Sequence, residues 1–353
     1  MKYGLLVGKT LSNGKYDGIK NIGDYIQNLA ALQYLPQVDE YIDREGDNTG
    51  NDKLKLIMNA WYSWNPDKFP IEERYIPLPI SMHLSPSIAD DLLKNTKVKE
   101  WFHKYEPIGC RDYGTKSFLE KNNIKAYFSG CLTLTLGKTY KNPETSGELI
   151  FVDPYIGMAR KELNFLECIN CVTYALMHFQ SFICVSKKFK HKLCDDNATH
   201  RRLFYSTVFL KTYSKLFSLK QLREGIYISH HVKVGKGTNL QTEDEKLEYA
   251  KELVRKYAKA KLVVTSRIHC ALPCLGIETP VLFTIGDSIE KNSPKADAGR
   301  FGGLINLFNV VTVDKITIKN SVDVNKDDYR TLANKMDARC EEFIADNFGD
   351  TEK

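Results

Sequence analysis

Short apolar, β-branched runs alternate with longer stretches in which apolar residues recur every three or four positions. Lys2 to Val7 reads as a strand, and Ile22 to Tyr34 follows with Ile22, Ile26, Leu29, Ala30 and Leu32 at helical spacing. Leu54 to Met58 and Leu78 to Met82 are further strands. Ser85-Pro86-Ser87 opens a helix that continues through Leu93. Pro107 to Cys110 reads as a strand, Tyr113 to Lys121 as a helix and Lys125 to Phe128 as a strand. Such alternation predicts a parallel sheet with helices on both faces.

Gly, Lys, Asn, Pro, Thr and Ser cluster between Leu136 and Gly147, which places a domain boundary there. Leu149 to Asp153 opens the second half as a new strand. Residues 156–224 are less regular, mostly helical by pattern and rich in aromatics and lysines. Alternation then resumes with strands at Gly225 to Ser229, Leu262 to Thr265 and Thr279 to Phe283, and a helix at Glu243 to Lys259. A short helical stretch before Thr279 ends at Gly276, a natural C′ residue. Asp327 to Asn347 is a closing amphipathic helix. The expected class is α/β, with two Rossmann-like, doubly wound domains and a cleft between them. Residues 1–140 form the first, residues 148–325 the second with a helical insertion over about 156–224, and residues 326–353 a closing helix and tail.

Composition narrows the class. The chain has 353 residues, 42% hydrophobic and 27% charged, as in an ordinary globular protein. Fifty Lys and Arg against 44 Asp and Glu give a net charge of +6, too mild to indicate nucleic acid and suited to an enzyme with anionic substrates. Met1 to Val7 is too short an apolar run for a signal peptide, and nine scattered cysteines are expected to be reduced thiols in the cytoplasm. The longest apolar stretch, Phe165 to Val185, is interrupted by Glu167, Asn170, His178 and Gln180, so no membrane span is expected.

Candidate chemistry gathers at strand ends. The run Leu262 to Thr265 stops at Ser266, and Arg267 and His269 follow, separated by one position. A strand–turn–helix–strand unit puts that turn at the carboxyl edge of a parallel sheet, where open α/β sheets bind ligands. Guanidinium grips a carboxylate or phosphate through paired hydrogen bonds, and imidazole moves a proton near neutrality. The competing reading is a structural ion pair with a core histidine. Asn21-Ile22-Gly23-Asp24-Tyr25-Ile26-Gln27 also falls at a carboxyl edge, although Asn21 or Asp24 could simply cap the helix while Gly23 relaxes the turn. Gly8-Lys9-Thr10 resembles the end of a Walker pattern, but Tyr3 stands where its first glycine belongs, and no dinucleotide fingerprint occurs. Gly109-Cys110-Arg111-Asp112, Ser129-Gly130-Cys131-Leu132-Thr133 and Ser229-His230-His231 complete five polar blocks, more than loops usually need.

Cys168-x2-Cys171 and His191-x2-Cys194 have ligand-like spacing, but an apolar helical context favours buried thiols, and no metal site is expected. The basic run Lys187 to Lys192 is ordinarily a solvated face. The alternative is that it rests on anionic lipid near a membrane-linked substrate.

Taken in order, Asn-Ile-Gly-Asp with Gln27, Cys-Arg-Asp with Ser117 and Leu119, Ser-Gly-Cys-Leu-Thr, and Thr-Ser-Arg-Ile-His with a trailing Gly and Pro resemble the polysaccharide pyruvyl transferase family. The resemblance spans about residues 1–310, with no assignable motif between about 155 and 224. It implies a GT-B-like fold with the active site in the cleft. It further implies phosphoenolpyruvate as co-substrate, no cofactor, and a sugar acceptor of a capsule or exopolysaccharide, or its lipid-linked precursor. The expected location is the cytoplasm, with the inner face of the membrane as the alternative if the basic run rests on lipid. On that footing Arg267 clamps the donor anion and His269 is the general acid/base. Ser266, Arg111 and His230 join Arg267 in binding the donor, Arg111 having the alternative of anchoring Asp112. Asn21, Asp24 and Gln27 face the acceptor. Two other functions fit the residues: a GT-B-type glycosyltransferase using a nucleotide-sugar, and a non-catalytic glycan-binding or assembly protein.

Overall fold

The computed structural model describes residues 1–8, 18–62, 65–142, 144, 146–156, 164–194, 199–286, 301–314, 317–320 and 328–346. Lys9 and Thr10 of the Walker-like run, and residues 326–327 and 347–353 of the expected C-terminal segment, lie outside them. The first half comprises β1 (Lys2–Val7), β2 (Gly18–Asn21), α1 (Gly23–Leu32), β3 (Glu40–Asp43), β4 (Leu54–Ile57), β5 (Trp61–Tyr62), β6 (Tyr75–Leu78), β7 (His83–Leu84), α2 (Pro86–Leu92), α3 (Thr96–Lys104), β8 (Ile108–Cys110), α4 (Tyr113–Lys121), β9 (Ala126–Phe128) and α5 (Gly137–Tyr140). Strands pair in parallel in the order β3-β1-β4-β6. Parallel pairs β5–β7 and β8–β9 follow, and Met82 bonds backbone to backbone with Gly109 and Arg111. The strand expected over Leu78 to Met82 is therefore two pieces. β6 stops at Leu78 because Pro79 has no N–H for a ladder and Ser81 takes a positive φ of 55°.

The second half comprises β10 (Leu149–Val152), α6 (Phe165–Met177), α7 (Phe179–Lys188), α8 (Thr199–Tyr213), α9 (Leu219–Glu224), β11 (Ile226–Ile228), β12 (His231–Val234), α10 (Glu243–Ala258), β13 (Leu262–Thr265), α11 (Ile268–Gly276), β14 (Val281–Ile285), β15 (Asn309–Asp314), β16 (Thr317–Asn320) and α12 (Asp328–Ala345). Its sheet runs β11-β10-β13-β14-β15-β16, parallel except for the edge strand β16. From β10 the chain passes first to β11 on one side, then to β13 on the other. The carboxyl ends of β10 and β13 thus form a topological switch point, the usual place for a ligand in such sheets.

Alternation within strands sorts side chains into layers. Leu6 and Leu56 face one apolar cluster, while Leu5 and Val7 face another. In the second sheet Phe151 and Val264 face the side of α8, and Ile150, Val152 and Val263 face the other. The cluster holding Leu5 and Val7 is the same one that holds Val152 and Val263, so a single apolar core lies between the two sheets. It includes Leu29 of α1, Val254 of α10, Leu272 of α11 and Leu134 of a short 3-10 helix, Leu132–Leu136. Two further ties cross between the halves. β2 pairs antiparallel with β12, Asn21 opposite His231. Lys55 of β4 is buried and donates to the Phe343 carbonyl at 2.6 Å, fastening the end of α12 to the first sheet.

Gly276 is not a C′ residue. It is the last residue of α11, and the positive φ falls on Glu278, at 60°. Its missing side chain answers a different need: a Cβ there would sit 2.4 Å from the Leu134 carbonyl oxygen. The segment expected to be a loop between Leu136 and Gly147 begins with α5, and Gly137 meets the Gly276 carbonyl in the same close contact.

Candidate active site

β13 delivers Thr265, Ser266 and Arg267 to the switch point, and each is fixed by a bond to β10 or its continuation. The Thr265 hydroxyl donates to the Val152 carbonyl and the Ser266 hydroxyl to the Asp153 carbonyl, both at 2.7 Å. Arg267 Nε donates to Asp153 Oδ2 at 2.9 Å. Asp153 is fully buried, with a φ of 41°, and its carboxylate also accepts the backbone N–H groups of Lys192 at 2.7 Å and His230 at 2.9 Å. Burial by itself would raise its pKa. The Arg267 charge, then His191 and His230, hold the group well below the usual carboxylate range. Arg267 Nη2 is left buried without a hydrogen-bond partner.

His269 follows with φ −81° and ψ 17°, outside helical values although α11 begins one residue earlier. Pro273, four residues on, supplies the cause. It has no N–H to bond the His269 carbonyl, and its ring crowds that group. The imidazole is 6% exposed, and its Nδ1 stands 3.8 Å from Asp24 Oδ1. Asp24 rides in the first turn of α1, where Asn21 Nδ2 donates to its Oδ1 at 3.3 Å. The N-cap position is Ile22, with no side-chain bond, but Asn21 Oδ1 accepts the N–H of Gly23, the first helical residue, at 3.3 Å. Gly23 permits close approach, since a Cβ would lie 3.0 Å from His230 Nδ1 and 3.2 Å from His269 Cβ.

His230 is buried, its Nε2 at 2.8 Å from the Tyr257 hydroxyl and its Nδ1 without a partner. Arg111 arrives from β8 at 3% exposure. One terminal nitrogen lies 3.4 Å from Asp112, and its Nε has no hydrogen-bond partner. Asp112 is itself engaged by His83 Nδ1 at 2.5 Å and by the Thr115 N–H at 2.9 Å, capping α4. Burial opposes its ionisation, but the His83 bond and the Arg111 charge keep its pKa below normal. Arg111 therefore touches Asp112 and also lines a cavity.

That cavity, about 400 Å³, lies at the carboxyl edge of the second sheet and is walled on its other side by Asn21, Asp24, Trp61 and Arg111 of the first half. Seven of the eight residues singled out from the sequence line it: Asn21, Asp24, Arg111, His230, Ser266, Arg267 and His269. They come from segments as distant as positions 21 and 269, and the family model for polysaccharide pyruvyl transferase matches residues 21–288. The chain belongs to the polysaccharide pyruvyl transferase family. Membership makes it a transferase acting on a polysaccharide acceptor. No curated protein and no solved structure matches the chain.

Gln27 is not part of the cavity lining. Its side chain is buried and donates to the Asn59 carbonyl, while Asn59 Nδ2 donates back to the Gln27 carbonyl at 2.8 Å. Helical geometry explains the difference, because Gln27 lies three residues beyond Asp24 but one turn deeper along α1. The sequence reading missed Asp153, Trp61 and Tyr155, the last two of which line the cavity. Asp153 did have a signal, a carboxylate at the end of an apolar run followed by proline. His191, considered for metal spacing, instead holds the backbone. Its Nε2 donates to the Pro154 carbonyl at 2.8 Å, and its Nδ1 accepts the Leu193 N–H at 3.2 Å. Burial lowers its pKa to about 4, so the ring is neutral near pH 7. No cluster of His, Cys, Asp or Glu suited to a metal occurs among the described residues.

Proposed function

We propose that this member of the family transfers the carbon skeleton of phosphoenolpyruvate to a surface-glycan sugar as a pyruvate ketal. The observation that carries the reading is a pair of arginines on one cavity, the buried Arg111 from the end of β8 and the partly buried Arg267 from the end of β13. Both side chains line one small cavity, and each has a buried guanidinium nitrogen without a hydrogen-bond partner. Phosphoenolpyruvate has two anionic groups, and two fixed cations match them. A volume near 400 Å³ lies toward the small end for ligand sites, which favours this donor over a nucleotide-sugar. A cavity lined by residues from both halves of the chain supports a GT-B-like, two-domain reading.

The chemistry assigns each remaining group a task. The methylene carbon of the donor takes a proton, and a first sugar hydroxyl bonds to C2. Phosphate then leaves C2 with its bridging oxygen, and a second hydroxyl bonds in its place. Of the two hydroxyl protons, one ends on the new methyl group and the other on phosphate. The donor carries its own leaving group, so the reaction calls for no further cofactor. His269 is the proton carrier, and Asp24 orients it and the acceptor hydroxyl beside it. Arg267, held by Asp153, clamps one donor anion with Ser266 and His230 nearby. Arg111 takes the other.

The test couples phosphate release to melting temperature. Phosphoenolpyruvate at about 100 times its dissociation constant should stabilise the protein by about 2.7 kcal/mol, and Arg111→Met should lose most of that gain. Stabilisation by nucleotide-sugars, with none by phosphoenolpyruvate, would reverse the assignment in favour of a glycosyltransferase.

A further inference from the structure

Among the described residues, every exposed large hydrophobic side chain except Met1 lies on α6, α7 or α8. Phe165, Leu166 and Met177 are 77%, 75% and 72% exposed, and Ile169, Val172 and Leu176 share their side of α6. The opposite side of α6 packs inward through Cys171 and Ala175. A helix apolar on both sides, with only one side covered, leaves a patch of the kind that marks an interaction surface. Phe179 of α7 and Leu203 and Phe204 of α8 extend it.

Charge identifies the occupant. Residues 164–218 hold eight Lys and Arg against three acids. Lys187 and Lys188 end α7, Lys190 and Lys192 follow, and Arg201 and Arg202 stand beside Leu203. Next to them a cavity of about 670 Å³ is ringed by Lys187, Lys188, Lys190, Arg202, Lys233 and Lys256 against one acid, Glu252. Apolar residues flanked by cations match the boundary between acyl chains and anionic headgroups. Neither helix is long and apolar enough to cross a bilayer alone: α6 has 13 residues, about 20 Å of helix, against a hydrocarbon core of about 30 Å. α7 turns away from α6 by 102° at His178, so the pair can lie in the interface without entering it end-on.

We propose that the exposed faces of α6, α7 and α8 dock on an anionic lipid bilayer. Phe165, Leu166, Leu176 and Met177 enter the acyl boundary, and Lys187, Lys188 and Lys190 meet the headgroups. Only two residues separate Lys188 from His191, which lines the 400 Å³ cavity, so docking holds that cavity beside the membrane surface. The inference stands on exposure and charge and does not depend on the proposed reaction.

The experiment is vesicle flotation of the full chain without substrate, with Phe165→Trp as a fluorescent reporter. Vesicles containing phosphatidylglycerol should float the protein and shift the reporter emission to the blue, and pure phosphatidylcholine should do so weakly. Each of Lys187→Ala, Lys188→Ala and Lys190→Ala should weaken binding about fivefold. Leu166→Glu with Leu176→Glu should abolish it at an unchanged melting temperature and unchanged turnover on a soluble acceptor. Failure to bind anionic vesicles would overturn the proposal. A vesicle-indifferent dimer dissolved by the same two substitutions would also overturn it, in favour of an interface between copies.

Discussion

Arg267 and Asp153 act as one unit at the residue scale. The carboxylate fixes Nε and so aims the rest of the guanidinium at the cavity. Asp153→Asn keeps the shape but leaves a buried cation unpaired, which typically costs about 3–5 kcal/mol. A urea midpoint unchanged from wild type would contradict this. His269→Ala should lower phosphate release by about 10²–10⁴-fold with the fold intact, and near-normal turnover would remove its assignment as the proton carrier. His191 gives a pH prediction with a definite sign. Its folded pKa, about 4, lies below the unpaired value of 6.5, so the unfolded chain binds the proton more readily. The stability it contributes is fully present above pH 6.5 and is lost as pH falls toward 4, on the order of 3 kcal/mol in all. Denaturant unfolding of His191→Gln between those limits should show a flatter dependence than wild type, and parallel curves would disprove the role.

α11 shows how an element can serve a site at the expense of its own regularity. Its proline bends the backbone at His269, and its terminal glycine lets it touch Leu134. Pro273→Ala should restore a helical bond and raise the melting temperature, yet lower turnover as His269 moves toward helical values. Gly276→Ala should destabilise by about 1–3 kcal/mol through overpacking, although the same change at an unstrained helical site stabilises. A higher melting temperature for Gly276→Ala would show that the Leu134 contact yields. Elements such as β1, β10, β13 and α10 were legible in the sequence because apolar period reflects which faces are covered. The role of Gly276 was not, since a glycine at a helix end looks alike whether it turns the chain or admits a neighbour. Arg267 and His269 were legible because a polar pair interrupts an apolar run. Gln27 misled, because a motif reports spacing along the chain and not the depth of a side chain along its helix. Asp153 was passed over because its partners lie 39 to 114 positions away.

The whole molecule has two parallel sheets but one shared core between them. A small, polar contact between halves would permit independent motion and separate melting, whereas a continuous apolar layer should not. Calorimetry should therefore give one transition, with van't Hoff and calorimetric enthalpies equal. Two resolved transitions would mean the layer is weaker than its burial suggests. The β2–β12 ribbon adds a further constraint, since it joins Asn21 on one wall of the cavity to His231 beside the other through main-chain bonds. Main-chain pairing does not stretch, so on the proposed reaction the gap across which a sugar ring would fit is set before any substrate arrives. Selectivity among acceptors would then become a matter of gauge: a ring whose two hydroxyls span the wrong distance would be refused by the backbone, whatever side chains line the way in.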